Sequence, residues 1–163
     1  MNMKIIIIYE STHHGNTKKL VKAISERFGD EYSLSCLPVD EAEGVDLSEY
    51  DIIGIASGIA AGNFYQRISE YVARKLPESK NVFFLYTCGI KIGDYSTGIR
   101  RTAEEKGCVI LGRYGCNGFS DFGPFKLIGG ISKRRPNESE IAGAVEFFGN
   151  IVGDYVKEND TEK

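Results

Sequence analysis

Four consecutive isoleucines, Ile5 to Ile8, stand near the start of the chain. Neighbouring residues of a strand point to opposite faces, so an unbroken apolar run belongs to a strand covered on both sides, as in a parallel sheet. The run spans Lys4–Tyr9, and four more short apolar stretches follow it: Tyr32–Val39, Asp51–Ala56, Asn81–Thr87 and Cys108–Tyr114. Helical patterns separate them. Leu20, Ala23, Ile24 and Phe28 share one face after Thr17. Phe64, Ile68, Val72 and Leu76 recur every fourth residue after Asn63, the expected cap. Ser96–Lys106 is a more polar helical candidate, and Ile141, Val145, Phe148 and Val152 line a long last helix. Asn137 with Glu140 three residues on, and Pro136 just before, is a start signal for that helix. Asp40–Tyr50 has room for a short helix at most. Alternating strands and helices define an α/β protein. Right-handed crossovers leave few topologies, and five strands favour a parallel sheet of order 2-1-3-4-5 with helices on both faces, a three-layer sandwich. The 163 residues suit one domain, since a domain takes roughly 150. We expect it to fill residues 1–157, with a frayed polar end at 158–163.

Charge and cysteine usage exclude several classes. The net charge of -3 lacks the basic excess of a non-specific nucleic-acid binder. The longest largely apolar run, Ile52–Gly62, is far shorter than the roughly 20 residues that span a bilayer. The N-terminus has no signal-peptide layout. These readings predict a cytoplasmic protein without nucleic-acid or membrane partners, as a monomer or weak dimer. Cys36, Cys88, Cys108 and Cys116 are scattered and form no CxxC pair, so neither a metal site nor a disulfide framework is expected.

Ligands of such sheets bind beyond the carboxyl ends of the strands, beside the point where strand order reverses. Chemistry is therefore sought after the first, third and fourth runs. The first is followed by Ser11-Thr12-His13-His14-Gly15-Asn16-Thr17. This turn is rich in hydroxyls and amides and opens a helix, whose unpaired amides and partial positive charge suit a phosphate. Neither G-x-G-x-x-G nor the nucleoside-triphosphate loop G-x-x-x-x-G-K-[ST] is present.

The run S-T-H-H-G-N-T after I-I-I-I-Y resembles the phosphate loop of flavodoxins, [ST]-x-[ST]-x-G-N-T, and the order of elements resembles that family along nearly the whole chain. The resemblance implies a flavodoxin-like fold, non-covalent FMN and one-electron transfer between redox proteins. It places the FMN phosphate on Ser11, Thr12, His14, Asn16 and Thr17, with Gly15 permitting the turn and one of His13 and His14 donating. Ser57, Gly58, Ile59, Ala60, Ala61, Gly62 and Asn63 resemble the second flavin loop. There the Ala61–Gly62 peptide matches one that reorients its carbonyl toward flavin N5. Thr87, Cys88, Gly89 and Ile90 resemble the third loop, with Tyr95 a candidate for the outer face of the ring. The chain has no tryptophan, so Ile59 or Ala60 takes the inner face, where the family often stacks one.

The same reading leaves an alternative: an FMN-dependent oxidoreductase taking hydride from NAD(P)H to a quinone or other small acceptor. No pair of titratable side chains near the expected flavin demands acid–base catalysis, so no catalytic residue is named. A phosphoacceptor receiver is excluded by Ser57, which stands where an acceptor aspartate belongs. A serine hydrolase is excluded because Ser57 lacks the G-x-S-x-G elbow. The glycine-rich segment Gly115–Arg135 carries Lys126, Lys133, Arg134 and Arg135 against one acid, Asp121. Its Phe119, Phe122 and Phe125 are expected over the edge of the sheet. Its basic end is a candidate dock for a partner protein or a pyridine nucleotide. The third loop offers only Asp94 as an acid, which predicts a less extreme potential than an acidic flavodoxin has.

Overall fold

A computed structural model describes residues 3–161. The elements are β1 (Lys4–Glu10), α1 (Asn16–Phe28), β2 (Ser33–Pro38), β3 (Ile52–Ala60), β4 (Asn63–Phe64), α2 (Gln66–Lys75), β5 (Asn81–Cys88), α3 (Thr97–Glu105), β6 (Val109–Asn117) and α4 (Glu138–Thr161). Five strands run parallel in the order β2-β1-β3-β5-β6, the order expected for the five apolar runs. Short β4 adds a sixth strand, antiparallel to the end of β3. The second crossover holds only single 3-10 turns, at Val39–Glu41 and Leu47–Glu49.

The isoleucine run shows why the sheet is covered twice. Ile5 and Ile7 point to the face packed by α1 and α4; Ile6 and Ile8 point to the face packed by α2 and α3. All four are fully buried, worth roughly 1.5–3 kcal/mol each. Strands β3 and β5 divide likewise, Ile53 and Phe84 to one face and Ile52 and Phe83 to the other. On the α1/α4 face, Phe148 sits 5.0 Å from Phe28 and 5.7 Å from Phe83, ring centre to ring centre. Gly54 makes room for this packing: a Cβ there would stand 2.3 Å from Phe83.

Asn137 caps α4, its side-chain oxygen accepting from the Glu140 amide at 2.9 Å. Glu140 does not return the favour; its carboxylate pairs with Arg135 instead. Three expectations are corrected. Asn63 does not cap α2: it lies in β4, two residues before the helix begins, and Phe64 precedes the helix too. In place of a local cap, Glu10 reaches from the end of β1 and accepts from the Ile68 amide at 3.1 Å. The last helix continues to Thr161, beyond the frayed end expected from residue 158; residues 162 and 163 lie outside the described range.

Candidate functional site

Parallel strands deliver all their carboxyl ends to one edge. The turns after β1, β3 and β5, and the long segment after β6, meet there around a cavity of about 310 Å³.

The first turn forms the polar end. His14 and Gly15 both take positive φ, 53° and 64°. Turns of this kind expose successive backbone amides. Among the described residues the amides of His13, His14 and Gly15 make no hydrogen bond. Ser11 accepts from the Lys18 amide at 3.1 Å and so occupies one free donor of the first turn of α1. Asn16 is buried and donates to the Phe119 carbonyl at 2.8 Å, while its Oδ1 is buried with no partner. A buried acceptor left empty in a cavity wall calls for a donor. Thr17 and Thr87 share a hydroxyl–hydroxyl bond of 2.8 Å, tying the first turn to the third.

The second turn is a two-residue hairpin between β3 and β4. Ala61 and Gly62 have φ of 49° and 78°, the two left-handed residues a type I′ turn needs. The Ala61 carbonyl is held by the Asn63 side chain at 3.2 Å. Ser57 is fully buried and turned to structure: it donates to the Gly58 carbonyl at 2.6 Å and accepts from the Tyr65 amide at 3.0 Å. Gly58 lets Tyr65 lie close, since a Cβ there would stand 2.3 Å from the Tyr65 hydroxyl.

In the third turn the Tyr95 hydroxyl donates to the Ile90 carbonyl at 2.9 Å, and Asn117 accepts from the Lys91 amide at 3.1 Å. Burial pushes the Cys88 thiol up to about 11, and nearby Lys91 offsets only part of that. A thiol in that state is a poor nucleophile near neutral pH. Cys88 belongs to the α2/α3 face and Cys116 to the α1/α4 face, so the two do not pair.

Of the residues expected to bind a cofactor, Ser11, His13, Asn16, Thr17, Gly58, Ile59, Ala60, Ala61, Gly62, Thr87, Cys88, Gly89, Ile90 and Tyr95 line the cavity. Thr12, His14, Gly15, Ser57 and Asn63 do not. His14 turns instead to Asp121 at 3.0 Å and to the Phe119 ring at 4.2 Å.

The segment after β6 was not expected in the wall. Gly118, Phe119, Ser120, Phe122 and Phe125 line the cavity, as do Tyr65 and Ile92. The three phenylalanines therefore face the site and not merely the sheet edge. A strap of this kind is held at several points. Ser120 and Ile131 form an antiparallel bridge, Ser132 donates to the Gly89 carbonyl at 2.6 Å, and Asp121 meets His14. The three-residue spacing of phenylalanines in a glycine-rich stretch was the available signal. Among the described residues no group of His, Cys, Asp and Glu could hold a metal ion, and no helix is long and apolar enough to cross a membrane.

The architecture defines a doubly wound α/β protein with its cavity at the strands' carboxyl ends. The sequence profile of the flavodoxin domain matches residues 6–93. The chain belongs to the flavodoxin family. An uncharacterized protein of Methanocaldococcus jannaschii is 34% identical over 152 residues, covering 92% of this chain and 99% of that one. Among solved structures, a flavodoxin from the domain Archaea superposes with TM-score 0.72 at 17% identity, covering 93% of this chain and 98% of that chain. Oxidised flavodoxin 2 from Bacillus cereus superposes with TM-score 0.68 at 16% identity, covering 93% and 99%.

Proposed function

We propose that this protein binds FMN in the cavity and carries electrons singly between redox proteins in the cytoplasm. One observation carries the reading: the polar turn residues Ser11, His13, Asn16 and Thr17 and a set of apolar residues line one and the same cavity. A phosphate is a ligand for the first and a planar ring for the second. The His13 amide and the Ser11 hydroxyl, both in the cavity wall, are the donors for the phosphate. Asn16 Oδ1 is an acceptor for a sugar-chain hydroxyl. Ile59, Ala60, Tyr95 and Phe119 are the residues to enclose the ring and exclude water from it. The Thr17–Thr87 bond holds the phosphate turn and the third turn at a fixed spacing. Bound FMN supplies the one-electron chemistry, and the protein supplies orientation and electrostatics.

The test is titration of FMN-free protein, followed by flavin fluorescence. FMN is expected to bind with one-to-one stoichiometry and riboflavin, lacking the phosphate, at least about tenfold more weakly. Absence of FMN uptake sinks the proposal. NADPH oxidation by the FMN-loaded protein alone, faster than by free FMN, would replace the carrier role with that of an oxidoreductase.

A further inference from the structure

The mouth of the cavity carries features that FMN binding does not use. Ile92 is 83% exposed, Leu127 89%, Ile128 69% and Phe122 65%. Ile92 and Phe122 line the cavity, and Leu127 and Ile128 end the 3-10 turn that contains Phe125, another lining residue. Exposed apolar side chains gathered on one face mark an interaction surface.

Cations flank these residues along the chain. Lys91 sits between Ile90 and Ile92, Lys126 follows Phe125, and Lys133 and Arg134 close the strap. None of the four is ion-paired among the described residues. The carboxylates of the same two loops are engaged. Asp94 meets Arg113 at 2.8 Å and Arg100 at 3.2 Å, and Asp121 meets His14 at 3.0 Å. The mouth is thus positive although the chain as a whole is -3. Several of the compensating acids lie at the other edge of the sheet, while Asp40 and Glu41, after β2, stand beside Tyr9 on the flank away from the strap. Asp30 and Glu31 precede β2, and Asp51, just before β3, faces Tyr155 near the end of α4, with Asp154 before it and Glu158 and Asp160 after it.

We propose that the mouth docks an acidic redox protein, one whose carboxylates surround an apolar patch over its own redox group. The word redox rests on the FMN reading; the docking surface rests on the side chains just described. A second copy of this chain is a poorer fit. Its acidic edge offers only Val109 and Val156 as exposed large apolar residues, with nothing to match four at the mouth.

The test uses one haem protein in two charge forms: a basic c-type cytochrome, native and with its lysines succinylated. Amide shifts of the full chain are followed with each, with and without FMN. The acidic form is expected to shift Ile90–Ile92, Phe122–Ile128 and Lys133–Arg134. Its affinity should fall at least about tenfold from ~20 to ~300 mM salt. The fourfold variant K91E/K126E/K133E/R134E, its fold checked by circular dichroism, should exchange the preference for the native form. The proposal is overturned if the native form shifts those residues more strongly, if neither form shifts them, or if sedimentation shows self-association through them. FMN uptake is read separately from flavin absorbance. Docking without uptake sinks the carrier role and leaves the surface; uptake with the wrong charge preference sinks the surface alone.

Discussion

Thr17 and Thr87 are 70 residues apart in sequence, and both are buried. Removing one hydroxyl strands the other without water. Thr17→Val should cost about 1–2 kcal/mol, whereas Thr17→Val with Thr87→Val should cost less, because no orphan is left. Urea unfolding of the two single variants and the double variant reads the difference. A double variant that loses the sum of the single losses would show that the bond is not the source. Asp94 supplies a pH signature. Burial raises its pKa, but the Ser96 hydroxyl and amide, with Arg113 and Arg100, outweigh that and hold it below the usual aspartate value. A depressed carboxylate stabilises the fold above its unfolded pKa, near 3.9, and that contribution drains away as pH falls through the folded value. Asp94→Asn should therefore flatten the fall in urea midpoint between about pH 5 and pH 2. An unchanged slope would place the acid sensitivity elsewhere.

Helix α2 begins without a cap of its own, because its Tyr65 N-cap offers no side-chain hydrogen bond. Glu10 does the work from the end of β1, and that long-range bond ties the helix to the strand that also launches the phosphate turn. Glu10→Ala should cost about 1 kcal/mol, the ordinary worth of a lost cap. Glu10→Gln keeps an acceptor oxygen and should cost less. Chemical denaturation distinguishes the two, and equal losses would argue that carboxylate charge matters more than the bond. The hairpin between β3 and β4 explains why Asn63 reads as a cap in sequence yet is not one. Asn is suited to turns, and here it secures the Ala61 carbonyl while Phe64 fills the core from β4. A two-residue strand has no periodicity to detect, so the following apolar spacing reads as helix too early.

The site binds its elements together, since its walls come from four separate turns. A ligand that binds only the folded state raises stability by mass action. FMN at a hundred times its dissociation constant should add about 2.7 kcal/mol, and for a domain of this size raise the melting temperature by about 5–10 °C. Thermal scans with FMN and with riboflavin check this. Equal shifts would show that the polar turn contributes nothing to recognition.

The unbroken apolar runs were enough to yield the parallel sheet, because a strand buried on both faces cannot hide its composition; its order came from the handedness of crossovers and the flavodoxin-like precedent. The turns after β1, β3 and β5 were legible for a related reason: in a parallel sheet they share an edge, and their small and hydroxyl-bearing residues announce themselves locally. Most of the residues expected there do line the cavity; which of them turn away from it was not legible. Ser57 and His14 have the right chemistry but spend it on the backbone of the hairpin and on Asp121. The strap was hidden as well. Phe119 reaches the wall beside Asn16, 103 residues away in sequence. That contact, like the Glu10 cap on α2, exists only once the sheet has closed, and no local pattern of residues encodes a partner so distant along the chain.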